Sequence, residues 1–317
     1  MNIEQIKQII GYSDCKIEEV SGGLFNHVYK LNKSSVKYMK IFSDTAKSPN
    51  FPELPTTSTE RCIVALEAHK IAYSSRSALI LVPEILDYNL EKSYILMSGI
   101  EGEPLYNFVT NLHYSLDNLF CYTMKCIEWL KKIHCANIPR KAFIDNASDK
   151  FKKYKIDLQY NRLLNYLNET SRQNATLFID SYINSKEQLV HGDFNSRNIL
   201  LNTNTNQIGI IDFEQAHIGS GVYDVAYIAS ELIIRIVASQ NEDKKLDEYI
   251  EKIFNSYYDD RLNLKTTFVI FSKHLFFQVL YRLVGPSKLA WSGHLNEVKK
   301  TEIIHFSITR LNELFIV

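Results

Sequence analysis

Apolar and polar positions alternate by two along the first hundred residues and then shift to a spacing of three and four. Residues 16–20 (Lys-Ile-Glu-Glu-Val), 27–32 (His-Val-Tyr-Lys-Leu-Asn) and 36–42 read as strands of an antiparallel meander, the last two joined by the turn-forming Asn32-Lys33-Ser34-Ser35. Ser43 to Thr59 is rich in Ser, Thr and Pro and has no period, so it reads as a loop, and Thr59 is placed to cap a helix from Glu60 to about Tyr73. Residues 82–86 and 93–97, flanking the turn Asn89-Leu90-Glu91-Lys92, supply two more strands. Gly99 and Gly102-Glu103-Pro104 then break the pattern. Beyond them a helical period governs 115–136, 157–168, 177–185, 222–239, 245–258, 266–284 and 296–314. One hairpin interrupts the helices, 199–201 and 208–211 around a polar turn at 202–207. The expected class is α+β. Residues 1–98 form a five-stranded antiparallel lobe with one helix, residues 99–317 form a mostly helical lobe, and a cleft lies between them.

Composition narrows the partners. The 317 residues are 45% hydrophobic and 23% charged, ordinary for a folded chain of two lobes. Thirty-six basic residues balance thirty-six acidic ones, so the basic excess of a nucleic-acid binder is missing and no nucleic-acid partner is expected. The five cysteines, Cys15, Cys62, Cys121, Cys126 and Cys135, are odd in number and form no C-x-x-C pair, which favours buried free thiols over disulfides or zinc. Glu4, Lys7 and Asp14 interrupt the apolar positions at the start, so no secretory leader is expected. The stretch 232–238 contains Arg235 and falls short of the ~20 residues of a membrane span. No membrane partner and a cytoplasmic location follow as expectations.

Chemistry gathers in two linked polar clusters. The first is His191-Gly192-Asp193-Phe194-Asn195-Ser196-Arg197-Asn198; the second, after the hairpin, is Asp212-Phe213-Glu214, with Asp224 beyond it. Asp193 sits in a tight turn where it can accept or orient a substrate hydroxyl. Asn198 and Asp212 offer the hard oxygens that suit magnesium, and Glu214 can point at the same metal or at the acceptor. Upstream, Ser21, Gly22, Gly23 and Asn26 lie in a glycine loop between two strands, able to cover nucleotide phosphates with backbone amides. Lys40 on the third strand can neutralise those phosphates, with helical Glu67 as its expected partner and Glu60 as the runner-up. His191 and Asp224 read as braces of the loop, and His134 as a core or capping residue.

These motifs resemble the aminoglycoside phosphotransferase and choline kinase family of small-molecule kinases, which is related in fold to the protein kinases. The HGDxxxxN loop of that family is similar to His191–Asn198, and its strand-end Asp with a trailing DxA resembles Asp212 with Asp224-Val225-Ala226. Its hinge resembles residues 96–105, and its helix ending in Leu-x-x-x-His resembles residues 130–134. The likeness covers nearly the whole chain and implies a bilobal protein-kinase-like fold. It further implies Asp193 as catalytic base, Asn198 and Asp212 on Mg2+, and Lys40 paired with Glu67 on the phosphates of ATP or GTP. The base would lie on the backbone of Leu96, Met97, Ser98 and Ile100. Ser98 stands where the family often has an acidic residue, which leaves adenine against guanine open. Asp212-Phe213-Glu214 resembles the DxE of methylthioribose kinase and choline kinase relatives.

A small-molecule hydroxyl is the expected acceptor, because the short span between Asp212 and Asp224 leaves no room for an activation segment that could hold a polypeptide. An aminoglycoside would need carboxylates, for which Glu214, Glu231, Asp259 and Asp260 are candidates. Choline or ethanolamine would use an aromatic cage drawn from residues such as Tyr223, Tyr227, Tyr281 and Trp291. Methylthioribose or another sugar needs neither feature. A nucleotide-binding pseudokinase is opposed by the intact Lys40, Asp193, Asn198 and Asp212.

Overall fold

The computed structural model describes residues 3–10, 15–20, 25–45, 47, 53–138, 147–239, 243–258 and 264–316. Strands β1 (Lys16–Val20), β2 (His27–Asn32) and β3 (Val36–Ile41) form the expected meander. They are followed by β4 (Ile80–Leu81), β5 (Ile85–Asn89) and β6 (Tyr94–Ser98). Five of these make one antiparallel sheet in the order β1-β2-β3-β6-β5, with Lys40 opposite Val28 on one side and Ile95 on the other. Because side chains alternate along a strand, Met39 and Ile41 enter the sheet face packed with Ile6, while Phe42 enters the opposite face with Cys62, Ala65, Leu66 and Ile95. Lys40 shares the second face with Phe42.

Ile6 belongs to a helix, Ile3–Ile10, that precedes the sheet and adds to the one helix expected there. The other helix runs Ser58–Ser74 and begins two residues earlier than the pattern suggested. Thr57, rather than Thr59, caps it: its hydroxyl accepts from the Glu60 amide and the Glu60 carboxylate accepts from the Thr57 amide, a reciprocal capping box. Of the run read as a strand at 82–86, only Ile85 and Leu86 lie in one, β5. Pro83 has no amide to donate, and its carbonyl accepts from His69 Nε2 at 2.6 Å, so 82–84 stand outside the strands, while Ile80–Leu81 before them pair in another sheet.

The helical part departs from expectation chiefly between 147 and 184. A helix at Ala147–Gln159 and a short 3-10 helix at Asn161–Tyr166 replace the one read at 157–168. Asn168 then caps Glu169–Asn184 through the Ser171 amide at 2.9 Å. Helices Val222–Ser239, Asp243–Tyr257, Leu264–Val284 and Glu297–Ile316 lie close to their expected places. The window 265–284 is long and apolar enough to cross a bilayer by composition, but 67% of it is buried within the fold, as suits a core helix.

Two small sheets frame the polar clusters. β7 (Glu103–Pro104) and the hairpin β9 (Ile199–Asn202) and β10 (Gln207–Ile210) join β4 in the order β4-β10-β9-β7, while β8 (Gln188–Val190) pairs with β11 (His217–Gly219). The first cluster therefore crosses from β8 to β9, and the second from β10 to β11. Each loop is held at both ends by a different sheet.

Three buried histidines make stability depend on pH. Burial pulls His69 down to about 4 and His217 and His274 to about 3, from an ordinary value of 6.5. The unfolded chain therefore binds more protons than the folded one as pH drops below 6.5. Stability is complete above that point and falls toward pH 4, by up to about 1.4 kcal/mol per pH unit for each histidine. Thermal denaturation should show a falling Tm from pH 7 to pH 5, with a shallower slope in His274→Gln. A flat profile over that range would contradict the assignment of these residues as buried and neutral.

Candidate active site

Gly192 lets the first loop turn. Its φ is 80°, a backbone conformation that glycine enters without cost, and a Cβ there would stand 2.1 Å from the Gln215 carbonyl oxygen. The loop is then pinned from beneath by Asp224, which is fully buried. One carboxylate oxygen accepts from the Gly192 amide at 3.0 Å, and the other from the His191 amide at 2.7 Å and from His134 Nε2 at 3.2 Å. Burial pushes the Asp224 carboxyl up, but these donors outweigh it and hold the group below its ordinary value. Asp224 holds the loop from beneath and does not itself line the cavity that Asp193 faces.

His191 is buried between aromatic rings, 5.4 Å from Phe194 and 4.9 Å from Phe213, and Phe213 lies 5.1 Å from His69. Burial lowers its basicity, and its Nδ1 accepts from the Asp193 amide at 3.3 Å. This stack couples the helix Ser58–Ser74 to both loops. A second brace comes from Glu231, buried beside Arg282 Nη2 at 3.1 Å, which accepts from the Ser196 amide at 3.2 Å and from the Ser196 hydroxyl.

Held this way, Asp193 faces a cavity of about 430 Å3. Its Oδ1 accepts from Lys155 Nζ at 2.8 Å and from the Tyr227 hydroxyl at 3.0 Å, and its Oδ2 accepts from Asn198 Nδ2 at 3.0 Å. Burial raises the Asp193 carboxyl, and the Lys155 ammonium more than offsets that, so the group lies below its ordinary value and is ionised. Since Asn198 spends its NH2 on the Asp193 carboxylate and carbonyl, its amide oxygen is the group left to meet a ligand.

Asp212 ends the hairpin with φ 71°, in the left-handed region that Asp tolerates better than most residues and that clusters at functional sites. Its Oδ1 lies 2.5 Å from Lys40 Nζ, and Glu214 Oε2 lies 3.0 Å from the same nitrogen. Burial disfavours the Lys40 ammonium, yet the two carboxylates raise its pKa overall. Burial raises the Glu214 carboxyl, with Asp212 adding to the effect. Asn26 donates its amide to Glu214 Oε2 and accepts from the Ser43 amide, tying the β1–β2 connection to the second cluster.

The cavity thus brings together Asn26, Lys40, Asp193, Asn198, Asp212 and Glu214 from elements far apart in the chain. Glu67 is not among them. The expected Lys40–Glu67 pair is replaced by Lys40 with Asp212 and Glu214, and Glu67 bonds Lys70 at 2.7 Å one helical turn away. The physical reason is helix phase: Cys62 and Leu66 occupy the face turned to the sheet, leaving position 67 on the flank. Glu60, the runner-up, is engaged in its own N-cap. Leu96, Met97, Ser98 and Ile100 lie outside the cavity lining; the Ser98 amide bonds the Glu84 carbonyl and the Gly99 amide the Val36 carbonyl. Ser21, Gly22 and Gly23 fall outside the described residues, as do Asp259 and Asp260.

Lys155 is the site residue that pattern reading missed. It is buried on the helix Ala147–Gln159 and also bonds the Gly192 carbonyl and Gln215 Oε1, so it clamps both loops at once. A signal was there. Ser148, Lys152, Lys155 and Gln159 recur at three- and four-residue spacing and are all buried, a polar face on an interior helix.

Every group in the donor set around Asn198, Asp212 and Glu214 is a hard oxygen, the set that magnesium takes. Lys40 adds a cation beside Asp212 and Glu214, the kind of charge that stabilises phosphate oxygens.

Comparison with known proteins shows a family and a shared fold. Residues 16–258 match the sequence model of the phosphotransferase enzyme family. None of the curated proteins matches the chain. Solved structures share the fold at low identity. APH(2'')-IIa in a streptomycin and ATP ternary complex is 17% identical, with 100% of this chain and 99% of that one covered and a TM-score of 0.54. The aminoglycoside phosphotransferase APH(2'')-Ib, ADP-bound, is 15% identical over 100% of both chains with a TM-score of 0.53. A choline/ethanolamine kinase family protein from Mesorhizobium loti is 14% identical over 98% and 91%, with a TM-score of 0.52.

Proposed function

The chain belongs to the phosphotransferase enzyme family, and from that premise we propose that it moves the γ-phosphate of ATP or GTP to a hydroxyl of a small molecule with Mg2+ as cofactor. The observation that carries the reading is the convergence of Lys40, Asp193, Asn198 and Asp212 on one cavity, with Asp193 ionised and oriented through both of its oxygens. In this reading the acceptor oxygen bonds to the γ-phosphorus, the bond to the bridging oxygen breaks, and the hydroxyl proton passes to Asp193. Asn198 and Asp212 would hold the metal, which supplies positive charge at the phosphate oxygens when bound. Glu214 would be shared between Lys40 and that metal.

Nucleotide phosphates would meet Lys40 from the sheet side, below the loop that contains Asn26, and the base would lie on the backbone of Leu96 to Ile100. The two lobes in this reading divide near residue 98, so the hinge strand β6 leads directly from the nucleotide half to the acceptor half.

A coupled nucleotide-consumption screen over aminoglycosides, choline, ethanolamine, methylthioribose and hexoses, run with ATP and with GTP, tests it. Acceptor-dependent consumption that requires Mg2+ is the expected result. Saturable nucleotide binding with no transfer to any alcohol would argue instead for a binding protein that has kept the site and lost the reaction.

A further inference from the structure

The acceptor half of the cavity has a charge character that bears on what can bind there. Three carboxylates line the cavity among the described residues, and each already faces a lysine: Asp212 and Glu214 face Lys40, and Asp193 faces Lys155. Glu231, the other buried candidate, lies outside that lining and is bonded to Arg282. The remaining charged residue on the lining is a cation, Arg197. Its Nη2 donates to the Ala290 carbonyl at 2.6 Å and its guanidinium lies over Tyr106 at 4.0 Å and Trp291 at 4.9 Å.

Two of the aromatic rings on the lining, Tyr227 and Trp291, are committed in the same sense. Tyr227 has Lys155 at 4.8 Å and Arg282 at 4.4 Å from its ring centre, and Trp291 has Arg282 at 5.1 Å besides Arg197. An aromatic ring attracts a cation through its negative face, and these faces are already engaged by the protein's own cations. A quaternary ammonium placed there would displace them or be repelled by them. A polycation would meet Lys155 and Arg197 with no unpaired carboxylate on the described lining to receive it.

We propose that the acceptor carries no positive charge: it is an uncharged or anionic alcohol that lies against these rings, with Arg197 facing its end remote from the reacting hydroxyl. The proposal rests on the phosphotransferase reading of the same cavity and narrows it.

Ligands of matched shape and different charge test it. With the full chain saturated by Mg2+ and a non-hydrolysable nucleotide analogue, titration calorimetry would compare glucosamine, glucose and glucuronate, with kanamycin and choline beside them. Glucose or glucuronate should bind at least about tenfold more tightly than glucosamine, kanamycin or choline, and Arg197→Glu should narrow or reverse that order. Tighter binding of any cationic probe overturns the proposal, as does an order unchanged by Arg197→Glu. Binding of the nucleotide analogue with no binding of glucose or glucuronate also counts against it. Failure of the nucleotide analogue itself to bind would instead sink the phosphotransferase reading, so the two failures are distinct.

Discussion

Asp193→Asn is expected to lower turnover by about 1,000-fold while nucleotide affinity stays within about threefold of the parent. The carboxylate is held from three directions: Lys155 and Tyr227 donate to Oδ1, and Asn198 donates to Oδ2. An amide in its place cannot take up the acceptor proton, and its NH2 must face at least one of these donors. The loss should therefore fall on kcat, because none of the contacts made by Lys40 changes. Steady-state kinetics with nucleotide titration separates the two effects. Turnover within tenfold of the parent would remove Asp193 from the reaction.

Asp224→Ala should destabilise the fold by about 3–5 kcal/mol, because deletion leaves the His191 amide, the Gly192 amide and His134 Nε2 buried without their acceptor. For a domain of this size that is a fall in Tm of roughly 10 °C. The loop that contains Asp193 begins at those two amides, so activity should fall even at temperatures where the variant is folded. Asp224→Asn retains one acceptor oxygen and should be intermediate in both respects. Calorimetric Tm and kcat measured on the same preparations check the ordering. A variant as stable as the parent would mean that the loop is supported elsewhere.

How much was legible in the sequence follows from what is local. Asp193 and Asn198 are brought together by a single turn, and Asp212 by the hairpin that returns to the same place, so their neighbourhood could be read from spacing alone. Lys40 was legible because strand alternation places it on the face opposite Met39 and Ile41. The Lys40 partner was not legible. The helix Ser58–Ser74 buries Arg61, Cys62, Val64, Ala65, Leu66, Ala68, His69 and Ala72, residues spread around its axis, so periodicity does not say which carboxylate turns toward the sheet.

Lys155 was missed for a related reason. Reading the helix as starting at 157 left Lys155 in a connection, and a lysine in a connection is ordinarily solvated. Its true helix carries polar residues on an interior face because that face meets the polar interior of the site: Gln159 accepts from Tyr223 at 2.6 Å and from Gln278 at 3.0 Å, and donates to Tyr227 at 3.1 Å. Buried polar groups that satisfy one another look like surface in a hydropathy pattern.

The central claim, transfer of a terminal phosphate to an alcohol, is tested most directly by following the label. Nucleotide labelled at the γ-phosphate is incubated with the enzyme, Mg2+ and each candidate acceptor, and the products are separated. The account predicts label on an acceptor oxygen, in amounts equal to the diphosphate formed and absent with Asp193→Asn. Label recovered only as inorganic phosphate, at the same rate with and without acceptor, would contradict it.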